Sequence, residues 1–122
     1  MSRIVGRIFF AVWIVSASFA AWAQGAPSFL STMGDVPLAP GLSELSDTGV
    51  TFDDPAGRIV EAFAAGQTTR DAVTAFYRAA LPGLGWAELG PGRYRRDKEM
   101  LLIEFVSADS GVAVRYLLSP VS

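Results

Sequence analysis

Residues Gly66–Trp86 read GQTTRDAVTAFYRAALPGLGW, and this stretch decides the architecture. Val73, Phe76, Tyr77, Ala80 and Leu81 follow the i, i+3, i+4, i+7, i+8 spacing of a half-buried helix. Thr68 is the expected N-cap, with Asp71 three residues on as a short-armed capping box. Pro82 lacks an amide hydrogen and pushes Leu81 out of helical geometry, so the helix is expected to stop there. Gly83-Leu84-Gly85 then forms a tight corner that delivers Trp86 to the end of the core.

Downstream of the corner the hydrophobic period changes from that of a helix to that of strands. Trp86–Leu89 and Arg93–Arg96 flank a Gly90-Pro91-Gly92 turn, and Asp97-Lys98 makes the next one. Glu99–Val106, EMLLIEFV, is the strongest strand, with Leu101, Ile103 and Phe105 on one face and Leu102, Glu104 and Val106 on the other. After a Ser107–Gly111 loop, Val112–Leu118 places Val112, Val114, Tyr116 and Leu118 on one face and Arg115 on the other. Pro120 is expected to end pairing.

Upstream, Arg58–Ala65 fits a strand or a short helix, and its length and flanking glycines favour the strand. Thr51–Gly57 reads as a turn, in which Asp53, Asp54 and Pro55 do turn chemistry; a calcium loop would need more oxygen ligands nearby. The expected fold is therefore α+β, one helix on one face of a small antiparallel sheet in a strand–helix–strand meander. That single domain occupies residues 51–122.

Residues 24–50 carry Pro27, Pro37, Pro40, Gly34, Gly41 and Gly49 without periodicity. The segment reads as an irregular arm docked around Val36–Leu42, or as a spacer holding the domain off the membrane. Residues 1–23 read as a signal peptide. Arg3 and Arg7 precede the apolar run Ile8–Ala20, and Ala21-Trp22-Ala23 provides a small-x-small site for cleavage between Ala23 and Gln24. The alternative is an uncleaved anchor in the inner membrane, for which the apolar run is shorter than the roughly 20 residues a bilayer requires.

Removing 23 of the 122 residues leaves 99, with eight basic and 12 acidic side chains and a net charge of −4. Such a balance disfavours nucleic acid as a partner. The chain has no cysteine, so no disulfide and no lipid-anchoring cysteine, and no histidine. Without those two residues the usual nucleophilic thiol, neutral-pH base and zinc ligands are missing, and the reading calls for no metal or cofactor. Glu61, Glu88, Glu99 and Glu104 are the residues a carboxylate-dependent hydrolase or lyase would use, against solvated strand positions as the plainer account. The inventory points away from an enzyme.

One charge cluster remains, Arg93-Tyr94-Arg95-Arg96, with Arg93 and Arg95 sharing one strand face and Tyr94 and Arg96 the other. It is the candidate partner-binding strip for an acidic peptide, anionic lipid headgroups or nucleic acid stacked on the tyrosine; protection of a sheet edge is the competing account.

Phe76-Tyr77 with Leu81-Pro82-Gly83-Leu84-Gly85-Trp86, followed by the arginine-bearing strand and EMLLIEF, resembles small exported proteobacterial proteins with an F-Y-x-x-x-L-P-x-L-G-W core. The resemblance spans about Asp53–Pro120. It implies an envelope location and an α+β fold, and brings no activity with it. The expected role is an exported, non-catalytic binding or accessory module, periplasmic or secreted, with no membrane span in the mature chain. A peripheral membrane-surface protein is the third reading.

Overall fold

The computed structural model describes residues 28–46 and 49–121; the expected signal peptide and its expected cleavage site lie outside them. Among the described residues there are seven strands: β1 (Leu42–Glu44), β2 (Val50–Asp54), β3 (Gly57–Gly66), β4 (Ala87–Gly90), β5 (Arg93–Arg96), β6 (Glu99–Val106) and β7 (Val112–Pro120). One helix, α1 (Arg70–Ala80), follows β3, and a single 3-10 turn, Pro82–Leu84, follows the helix. The strands form one antiparallel sheet in the order β1-β3-β7-β6-β5-β4, with β2 pairing the other end of β3's outer side.

This overturns the expected α+β meander on a small sheet: the fold is β-rich, one extensive sheet with a single short helix. The difference lies before the helix, where three strands stand instead of one. Thr51–Asp54 read as part of a turn because Asp53-Asp54-Pro55 is turn chemistry, yet only Pro55 and Ala56 turn. The Asp54 carboxylate accepts from the Ala56 amide at 2.9 Å and closes a two-residue hairpin between β2 and β3. β1 has three residues, too few for any periodicity to register.

The helix begins one residue later than its sequence suggests. Thr69, in extended geometry, is the N-cap, and its hydroxyl accepts from the Ala72 amide at 3.1 Å. Thr68 lies beside Gly41 instead. Leu81 ends the helix, and Gly85, at φ 94°, turns the chain so that the Trp86 amide bonds back to the Leu81 carbonyl at 3.1 Å. Trp86 is thereby buried. At the other end of the chain, Pro120 is still in register, opposite Glu99.

Register assembles the core from alternate positions on one sheet face. Val60, Leu118, Leu101 and Tyr94 form one row across four strands, and Ala62, Tyr116 and Ile103 form the next. All seven are buried. The helix supplies Val73 and Tyr77 to this face, with Phe76 half-buried against it. The rest of the cover is the arm. Leu30, Met33, Val36 and Ala39 are each at most 2% exposed, so these four positions of the arm are part of the core.

The arm is held by its own turn and by distant partners. Leu30 and Val36 pair at 3.0 Å, and the Leu38 amide reaches the Ser28 carbonyl at 2.7 Å. Glu44 receives both the amide and the hydroxyl of Ser31, each at 2.9 Å. Where the arm crosses the end of β3, the backbones touch at Gly66, opposite Leu42. A methyl group on Gly66 would overlap the Gly41 carbonyl oxygen. Gly66→Ala should therefore lower stability by about 1–3 kcal/mol, the usual cost of overpacking, as read from the urea midpoint. Gly83→Ala, which meets no atom within 4 Å, should leave that midpoint nearly unchanged.

Candidate functional site

The arm and the helix both pack on the core face. Tyr77 ties them together: its hydroxyl donates to the Pro37 carbonyl at 2.8 Å, receives the Ala39 amide at 3.3 Å and lies 2.6 Å from the Tyr116 hydroxyl. With its one proton given to Pro37, Tyr77 accepts the proton of Tyr116. Between the helix and the β5–β6 half of the sheet a cleft of about 290 Å³ stays open.

One wall is a helical stripe, Arg70, Val73, Thr74, Tyr77 and Arg78, spaced so that all five share a face. The other wall is Tyr94, Ile103 and Phe105 on the strands, with Pro91-Gly92 at the β4–β5 turn. Gly92 belongs there because φ is 70° and because a methyl group would overlap the Ile103 carbonyl. The Ile103 amide bonds the Gly92 carbonyl at 2.8 Å, fixing that lip.

The walls are apolar and aromatic, and the charge at the mouth is positive. The Arg70 guanidinium sits 5.0 Å above the Phe105 ring and has no carboxylate partner among the described residues. Arg78 pairs with Glu88 at 3.0 Å. Glu104 borders the cleft with its backbone, for its carboxylate is bound to Arg115 on the opposite sheet face. Burial raises the Tyr94 phenol above its ordinary pKa, and the Glu88 charge adds to that. Burial likewise pushes Tyr77 up to about 12, against the hydrogen bonds from Tyr116 and Ala39. Both phenols are therefore neutral walls at ordinary pH.

The basic strip is divided by its own alternation. Tyr94 is buried in the cleft wall. Arg96 stacks 4.4 Å over the Trp86 ring, donates to the Leu84 carbonyl at 3.2 Å and pairs with Asp35 of the arm. Burial opposes the Asp35 charge, but the Arg96 hydrogen bond and charge hold its pKa below the ordinary value. Arg93 and Arg95 stand exposed on the uncovered sheet face. The structure thus brings Arg93 and Arg95 together and gives Tyr94 and Arg96 separate tasks.

Of the four glutamates, two meet on one arginine and the other two lie apart. Glu61 and Glu104 both bind Arg115, Glu88 binds Arg78, and Glu99 binds Arg58 at 3.2 Å. No group of three or more acidic or imidazole side chains able to hold a metal ion occurs among the described residues. The cleft thus combines apolar and aromatic walls with the Arg70 guanidinium at its mouth. The sequence reading missed Arg70 and Arg78; the signal that marks them is their i, i+8 spacing on the same helix face as Val73, Thr74 and Tyr77. Comparison with protein-family models, with curated proteins and with solved structures gives no match for this chain.

Proposed function

We propose that this chain is an exported, non-catalytic binding module that takes a small amphiphilic anion in the cleft between α1 and the β5–β6 strands. The observation that carries the reading is the pairing of an aromatic and aliphatic cleft with an arginine that lacks a carboxylate. A carboxylate on a ring or short acyl chain fits that pairing. The head would meet Arg70, and the body would displace water from Thr74, Pro91 and Phe105, the lining residues that keep solvent exposure. Export to the bacterial envelope rests on the leader, with its basic start, apolar run and cleavage site between Ala23 and Gln24. Among the described residues no helix is long and apolar enough to cross a membrane.

Calorimetric titration with octanoate and with octanol tests the reading. Octanoate should bind more tightly than octanol. Arg70→Glu should weaken octanoate by roughly ten- to a hundredfold, the worth of a charge-assisted hydrogen bond, and leave octanol little changed. Thr74→Trp, which fills the cleft from the exposed helix side, should abolish both. Equal affinity for acid and alcohol, or indifference to Arg70→Glu, refutes the proposal.

A further inference from the structure

The second face of the sheet has no helix or arm over it among the described residues. It carries Ile59, Phe63, Met100, Leu102, Val106 and Leu117, all half-buried, and ends at β2 with Phe52 at 52% exposure. A sheet normally buries its apolar face against another layer. This face is also charged in a specific order. Along one row the register reads Glu61, Leu117, Leu102, Arg93 across β3, β7, β6 and β5. On the neighbouring row, Arg115 on β7 stands beside Glu104 on β6.

Each row is the charge complement of its own reverse. A two-fold axis parallel to the strands, passing between β6 and β7, lays β7 of each copy on β6 of the other and β3 on β5. Glu61 then faces Arg93, Leu117 faces Leu102, and Arg115 faces Glu104, each twice. The four charges of these two rows sum to zero in each copy, and Arg95, the fifth charge of the face, stands exposed on the β5 strand beyond these rows, donating to the Asp97 carbonyl. An axis running across the strands would stack every strand on its counterpart and set Arg93 and Arg95 against themselves.

Size agrees with this occupant. Six strands abreast at about 4.8 Å span about 24 Å, and nine residues of β7 run about 30 Å, an upper footprint of roughly 700 Å². A standard stable interface covers roughly 800 Å² per partner. We infer that a second copy of this chain covers the open face, making a two-fold sheet-on-sheet dimer in which Arg93 of each copy pairs with Glu61 of the other. The inference is independent of the cleft, which lies on the opposite side of the sheet.

Sedimentation velocity of the mature chain across a concentration series tests it. The expected result is a reversible monomer–dimer equilibrium. Arg93→Glu should raise the dimer Kd about a hundredfold, since the axis repeats each lost pair. Leu117→Lys, at the centre, should abolish the dimer. Ala79→Lys, on the exposed side of the helix, should leave the Kd unchanged. Arg93 is exposed, so thermal unfolding of Arg93→Glu diluted below the wild-type Kd should match that of the wild-type monomer. A wild-type chain that stays monomeric throughout overturns the inference, even if another protein is captured through Arg93. A dimer indifferent to both variants overturns it as well.

Discussion

Truncating Leu30 or Met33 to alanine should lower the folding free energy by about 2–5 kcal/mol in each case, the range for large aliphatic side chains removed from a closed core. Their relative exposures are 1% and 0%, as low as any position on the sheet. Each loses both its transfer free energy and the contacts of the cavity left behind. Against a total of about 5–15 kcal/mol for an ordinary domain, either loss is large. The two sit three residues apart in one turn, so their effects should not simply add. Urea denaturation of the single variants checks the claim. A midpoint shift near zero would mean that the arm is a tether and not a layer of the core. Leu45→Ala, at a position 41% exposed, is the comparison and should change little.

The second large effect is on pH. Tyr77 and Tyr116 share one buried hydrogen-bond chain that ends on Pro37, and burial raises the pKa of both phenols, Tyr77 to about 12. In the unfolded chain a tyrosine ionises near pH 10, so between about 10 and 12 the unfolded state holds fewer protons than the folded one. Stability from this pair is therefore complete below pH 10 and is lost as pH rises through the folded pKa. For Tyr77 alone, two pKa units correspond to about 3 kcal/mol. Denaturant titrations at a series of alkaline pH values should show that fall. Phenolate absorbance should rise together with unfolding. Tyr77→Phe should cost about 1–3 kcal/mol at neutral pH, because Ala39, Pro37 and Tyr116 lose their shared partner. It should also flatten the alkaline decline. A decline of unchanged steepness in Tyr77→Phe would contradict the assignment.

The parts that were legible in the sequence are those with a period. Val73 and Tyr77 mark a helix face, and Leu101, Ile103, Val114 and Tyr116 mark strand faces, because one side of each element meets core and the other does not. The Pro82–Trp86 corner was legible for a local reason, since proline and glycine act on their own backbone. The arm was not. Leu30, Met33, Val36 and Ala39 are buried by a turn whose partners lie about 40 residues away at Tyr77 and 60 away at Arg96. No window of local sequence contains them. β2 was hidden because its exposed residues carry no face pattern, and the Asp-Pro turn signal at its end dominated the reading.

The candidate cleft was half legible. Tyr94 drew attention as part of a basic strip, whereas its role depends on the tyrosine being buried on the helix side while Arg93 and Arg95 point away. Helical arginines normally signal solvent, and only the gap beneath α1 turns Arg70 into a possible ligand contact.

Amide NMR shifts during titration with octanoate test the central claim most directly, because they report where the acid sits. The account predicts saturable changes at Arg70–Arg78, at Gly92 and Tyr94, and at Ile103–Phe105, all reduced in Arg70→Glu. Shifts confined to the uncovered face, or scattered without saturation, would contradict a binding site between the helix and the sheet.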